Sequence, residues 1–180
     1  MASARRLLRL VLATAVMFAP AAVAHAQTSD AAVKAAFLPR FARYVTWPPA
    51  AMPKGGDPFV LCTIGDDPFG QLLDEAARTQ SVDGHGIMVR RLTSADGADR
   101  CNIAFVDGSR AQPVGQLLAA IGSKPVLTVT DGSNGGQRGI IQFAVVSGRV
   151  RFFIDEGAAA RRGMTISSRL LALALGVRQR

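Results

Sequence analysis

Residues 59–70, Phe-Val-Leu-Cys-Thr-Ile-Gly-Asp-Asp-Pro-Phe-Gly, constrain this chain more than any other stretch. A continuous apolar run containing β-branched residues stops abruptly at Gly65, the mark of a buried strand. Asp67 and Pro68 follow at once. Proline suits the first position of a helix because its missing N–H would be unpaired there, and the Asp67 carboxylate can accept from the free N–H groups of the first turn. The expected helix runs over 68–79, with Phe69, Leu72, Leu73 and Ala76 facing inward. The turn between them lies at the carboxyl end of a strand, the edge where open α/β sheets usually carry their sites.

The same alternation recurs along the chain. Residues 30–46 place Val33, Phe37, Phe41, Tyr44 and Val45 at helical spacing, with Asp30 as a cap. Pro39 removes a hydrogen bond and clashes with the turn before it, so a kink or break is expected there. Arg40 falls on the stripe by strict counting; either the kink turns it outward or a buried acid pairs with it. Trp47-Pro48-Pro49 ends the helix, and a loop rich in Pro and Gly runs to Pro58. After a loop through 83–86, strands are expected at 87–92, nearer an edge, at 103–106 and at 126–130. Between the last two, residues 111–121 hold Val114, Leu117, Leu118 and Ile121 in helical register, with Gly122 as the stop. Ser147-Gly148 reads as a tight hairpin between 140–146 and 149–154, and Asp155 and Ser167 as caps of two short helices, the second over 168–175. The pattern predicts an α/β sandwich: one domain, a mainly parallel sheet of about five to six strands with an antiparallel C-terminal hairpin, and helices on both faces.

Residues 1–26 stand apart from this domain. Arg5, Arg6 and Arg9 precede an apolar stretch over 11–19 and then Ala24-His25-Ala26, the three zones of a secretory signal cleaved before Gln27. The apolar stretch is well short of the roughly 20 residues a membrane span needs. Removing the three arginines lowers the formal charge from +8 to +5 and leaves 154 residues, 27–180, for the exported domain. The remaining basic residues are scattered, with doublets only at Arg90-Arg91 and Arg161-Arg162, and no basic run is interleaved with aromatics, which argues against nucleic acid as a partner. Cys62 and Cys101 make an even pair in an oxidising compartment, which favours a disulfide over two buried thiols. Their spacing fits neither a metal site nor a redox motif.

Catalytic constellations are sparse. His85 is the one histidine after the expected cleavage and lies between two glycines. Ser109, Ser167 and Ser168 lack a nucleophile-elbow pattern. Asp66 and Asp67 are adjacent carboxylates, but neighbours at a turn rarely converge, and Asp67 is already accounted for as a cap. The glycine-rich stretch 131–139 lacks the phosphate-loop pattern and leads into a strand, so it reads as a mobile loop that contacts a partner or small ligand. No metal or cofactor is expected.

Four blocks carry a likeness to a known family. They are Val33-Lys34-Ala35-Ala36-Phe37-Leu38 with Phe41-Ala42-Arg43-Tyr44-Val45-Thr46-Trp47-Pro48, then Cys62-Thr63-Ile64-Gly65-Asp66-Asp67-Pro68-Phe69-Gly70, then Pro125-Val126-Leu127-Thr128-Val129-Thr130-Asp131, and last Val150-Arg151-Phe152 with Ile166-Ser167-Ser168-Arg169-Leu170-Leu171. In this order, over nearly the whole chain beyond residue 26, they resemble the YfiR family. The resemblance implies a periplasmic protein that binds and represses the periplasmic sensor region of an inner-membrane diguanylate cyclase, relieved when an outer-membrane lipoprotein captures it. It implies binding rather than catalysis and lowered cyclic di-GMP output; the chain is expected to form a homodimer. Two features depart from the family: no cysteine follows Cys101, so redox control through a second pair is not expected, and Pro39-Arg40 stands where an aromatic residue and an asparagine are usual. Trp47 at the helix end and Asp131, Asn134 and Arg138 of the loop are the candidate contacts. The alternative is a small-molecule receptor feeding a membrane sensor kinase, in which the crevice beside 65–69 and the loop form the site and Arg151 and Arg169 hold an anionic group.

Overall fold

Apolar runs without alternation need cover on both faces, and the fold supplies it for half of its sheet. The structure is a computed structural model that describes residues 21–133 and 136–179, with side chains from residue 30 onward. In chain order it contains α1 (Ala21–Ala42), β1 (Val45–Thr46), β2 (Phe59–Gly65), α2 (Gln71–Arg78), β3 (Ser81–Val82), β4 (His85–Leu92), β5 (Ile103–Asp107), α3 (Val114–Ile121), β6 (Leu127–Asp131), β7 (Ile141–Val146), β8 (Arg149–Asp155), α4 (Glu156–Ala160), β9 (Thr165–Ile166), α5 (Ser168–Leu173) and β10 (Gly176–Arg178). The expected leader, residues 1–26, lies mostly outside the described residues.

Among the described residues, eight strands form one sheet in the order β10-β8-β7-β6-β5-β2-β4-β3. The β4-β2-β5-β6-β7 block is parallel, β8 returns antiparallel to β7, and β10 lies parallel to β8. Alternate residues of the central strands enter two apolar layers. Phe59, Leu61, Ile103, Phe105, Leu127 and Val129 meet α1 and α2 on one side, while Cys62, Ile64, Ala104 and Val106 meet α3 on the other. The first layer is the larger. Its aromatic centre joins Phe37 and Phe41 of α1 to Phe143 and Phe152, with Phe41 edge-on to Phe152 at 5.1 Å. The hairpin turns on Ser147 (φ 51) and Gly148 (φ 69), positive at both central positions, as a two-residue turn matched to strand twist requires.

Several expectations are corrected. The first helix ends at Ala42 and runs through Pro39, because Val45 and Thr46 leave it to pair with Ile166 and Thr165 as a separate ribbon. Its buried face is Ala35, Leu38, Phe41 and Ala42, whereas Val33 and Tyr44 are exposed and Arg40 points outward. The second helix begins at Gln71, after Gly70 at φ 51, so Asp67 caps the turn before the helix and not the helix itself. His85 and Gly86 open β4 instead of lying in a loop. The third helix starts at Val114, since Pro113 before it is extended. The last helix stops at Leu173: Leu175 donates to the Phe152 carbonyl oxygen, and the chain becomes β10. With β3, this brings the strands of the main sheet to eight.

Candidate functional site

The crossovers through α2 and α3 leave the adjacent strands β2 and β5 in opposite directions and on opposite faces. The crevice at their carboxyl ends is therefore the switch point at which such sheets hold ligands. Here it is closed. Gly65, at φ +89, approaches β5 so tightly that a Cβ would stand 1.7 Å from the Asp107 carbonyl oxygen. Asp67 accepts from the Phe69 and Gly70 N–H groups at 2.9 and 3.3 Å and from Arg91 Nε at 2.7 Å. Arg91 also donates to Asp74 from both terminal nitrogens, Nη1 and Nη2, and this hydrogen bonding holds the Asp74 carboxyl below its usual range. Burial first, then the charges of Asp66 and Asp131, push the Asp107 carboxyl up. Asp131 is also penalised by burial, but Lys34 of α1, 2.6 Å away, and Ser133 outweigh that and hold it low. Among the described residues no group of three or more histidine, cysteine or acidic side chains is placed to hold a metal ion. Of the carboxylates around the crevice, Asp67 and Asp131 are engaged by Arg91 and Lys34, while Asp66 is exposed.

The open surface lies at the other end of the sheet. Along β8, Val150, Phe152 and Ile154 face the α1 layer, so Arg149, Arg151, Phe153 and Asp155 face the other way. Among the described residues, none of β7 or β8 enters the layer beneath α3, and no helix covers this half of the sheet on that face. Register sets Val146, Ala144 and Gln142 of β7 beside Arg149, Arg151 and Phe153, and Gly176 and Arg178 of β10 beside Phe153 and Asp155. Arg138, at the end of the glycine-rich loop, reaches over the Phe153 ring at 6.0 Å, within cation–π range. A groove of about 200 Å³ results, lined by Arg138, Gln142, Phe153, Asp155, Gly176 and Arg178 among others. Asp155 caps α4 by accepting from the Ala158 N–H and receives Arg178 Nε at 2.9 Å.

The sequence candidates are therefore divided. Arg138 and Arg151 share this face. Asp131 stands at the start of the loop but is engaged with Lys34. Asn134 lies outside the described residues. Arg169 sits on α5, which packs through Leu170 against the Phe152 side of the sheet, so it and Arg151 belong to opposite faces and do not form one anion site. Trp47, expected at an exposed helix end, is instead 5% exposed: it packs edge-on to Phe59 and donates from Nε1 to the Asn102 carbonyl oxygen at 3.3 Å. Cys62 and Cys101 form a disulfide that ties β2 to the start of β5. His85 Nδ1 lies 2.8 Å from the Asp57 carbonyl oxygen, and Ser167 caps α5. Phe153, Gln142 and Arg178 were not singled out from the sequence. The signal for Phe153 was present, since charges fall on alternate residues of 149–155, but it marks a site only once the covered face is known.

A second recess of about 440 Å³ opens at the amino ends of the strands, lined by Met52, Val60, Met88, Arg90, Arg100 and Asn102 among others.

Comparison with known families resolves the kind of protein. The family described as YfiR/HmsC-like matches residues 31–175, which takes in every strand of the sheet except β10. The chain belongs to the YfiR/HmsC-like family. The family is periplasmic and regulatory rather than catalytic, acts in cyclic di-GMP signalling and interacts with a membrane-associated partner. None of the curated proteins compared with the chain matches it. Among the described residues, no helix is long and apolar enough to cross a membrane.

Proposed function

We propose that this protein binds the periplasmic sensor region of an inner-membrane diguanylate cyclase and represses it, lowering cyclic di-GMP output. The observation that carries this reading is the family match across 31–175. The geometry supports it: Asp67 and Asp131 at the switch point are engaged by Arg91 and Lys34, and a row of accessible polar groups lies on an open sheet face, a shape suited to a macromolecule. In this reading residues 1–26 are a leader removed on export, the chain self-associates, and an outer-membrane lipoprotein relieves repression by capturing it. Deleting the gene should raise cyclic di-GMP and biofilm, and the purified domain should retain the cyclase's periplasmic region on a column. Unchanged nucleotide levels together with no retained cyclase would overturn the proposal. N-terminal sequencing of the secreted protein reads the leader, with Gln27 expected first.

One observation favours the small-molecule alternative. The recess beside Cys101, like two others of about the same size, falls in the volume range of ligand pockets, roughly 300–1,000 Å³, while the groove over Phe153 falls below it. A metabolite that raises the melting temperature in proportion to saturation, and loses that effect in Met88→Glu, would establish a receptor.

A further inference from the structure

We infer that the uncovered face of β7, β8 and β10 docks an extended acidic segment of a protein partner, with its carboxylates on Arg149 and Arg151 and one anchoring side chain over Phe153. This rests on the binding function proposed above and names the chemistry of the partner surface. Charge comes first. Among the described residues Arg138, Arg149 and Arg151 form no ion pair with a carboxylate, and the one acid on this face, Asp155, already serves Arg178 and the start of α4. The face therefore presents unneutralised positive charge in a single row. Spacing comes second. Arg149 and Arg151 are two residues apart on one strand, about 7 Å, which is the repeat of alternate side chains in any extended chain. A segment with an acidic residue at every second position matches that repeat, whereas one turn of helix does not.

Relief comes third. Ala144 beside Arg151 and Gly176 beside Phe153 keep the flanks of the row low, and a Cβ at position 176 would come within 3.2 Å of the Phe153 ring. Gly176 thus lets the Phe153 ring rest against β10, and the groove that remains beside the ring and the Arg138 guanidinium is open to a side chain. The groove there, about 200 Å³, suits one side chain better than a free metabolite. A second copy of this chain is the wrong occupant, because a twofold contact through this face would set the arginine row against itself.

The test is selection of random dodecapeptides on the whole exported protein, followed by titration of the best synthetic peptide. Enriched peptides should carry Asp or Glu at alternate positions. Affinity should fall about tenfold or more in Arg149→Glu/Arg151→Glu, less in Arg138→Gln, and should weaken with added salt. Both arginines of the double variant are exposed, and an unchanged circular dichroism melt verifies its fold. Peptides without acidic excess, or equal binding by the double variant, overturn the inference. Two other results also overturn it: binding to phosphatidylglycerol vesicles that the double variant loses without peptide binding, which assigns the face to a membrane, and a dimer in sedimentation that the double variant abolishes, which assigns it to a second copy. If the double variant still represses the cyclase in cells, this inference fails while the proposed function stands; if gene deletion leaves cyclic di-GMP unchanged, the function fails whatever the peptides show.

Discussion

The two halves of the sheet are built differently. Around β2 and β5 both faces are covered, every strand side chain is buried or nearly so, and a disulfide joins the strands. Around β8 one face is equally apolar but the other carries Arg149, Arg151 and Phe153 into solvent or half into it. Burial on one side is enough to hold β8, because Phe152 and Ile154 sit in the same layer as Phe41. Its outward residues are thereby free of packing duty. The contrast separates a half that carries stability from a half that can vary its surface for recognition.

That contrast can be broken by substitution. The largest effect should come from Phe105→Ala, which empties a fully buried site edge-on to Phe69 and should cost about 3–5 kcal/mol in urea unfolding. Close behind, Cys62→Ala/Cys101→Ala removes a cross-link between residues 39 apart and should cost about 2–4 kcal/mol; reductant should lower the native stability similarly. Lys34→Met should cost about 1–2 kcal/mol at neutral pH by leaving half-buried Asp131 without its cation. Its sign with pH follows from a depressed native pKa: the Asp131 contribution is present above the usual carboxylate range and is lost as pH falls through the lowered native value. The variant should therefore lose less stability on acidification than the native protein. Asp107 acts oppositely, since its raised native pKa makes it least costly in acid. The smallest effect should be Arg151→Ala, within about 0.5 kcal/mol. A large loss there would mean that the β8 face is structural after all.

The chain itself determined the elements whose information is local. Apolar runs at 59–64 and 103–106 reach their strands, Gly122 stops α3, Ser147-Gly148 turns the hairpin, and Asp155 and Ser167 cap the helices that follow them. The two cysteines were enough to expect the bridge now seen. Only the tertiary structure decided what depends on partners distant in sequence. Two- and three-residue strands such as β1, β3 and β10 are too short to show a period, and they exist because Ile166, His85 and Phe153 offer them backbone to pair with. Trp47 looked like a contact because it follows a helix, yet the Asn102 carbonyl oxygen and Phe59 draw it inward. Arg151 and Arg169 looked like a pair, and the sheet lies between them. In the run Arg149-Val150-Arg151-Phe152-Phe153-Ile154-Asp155, alternation shows that β8 has two unlike faces. Which one meets water was set by where α1 and α3 came to rest, because hydrophobic burial is non-directional and selects a face only through the neighbour that covers it.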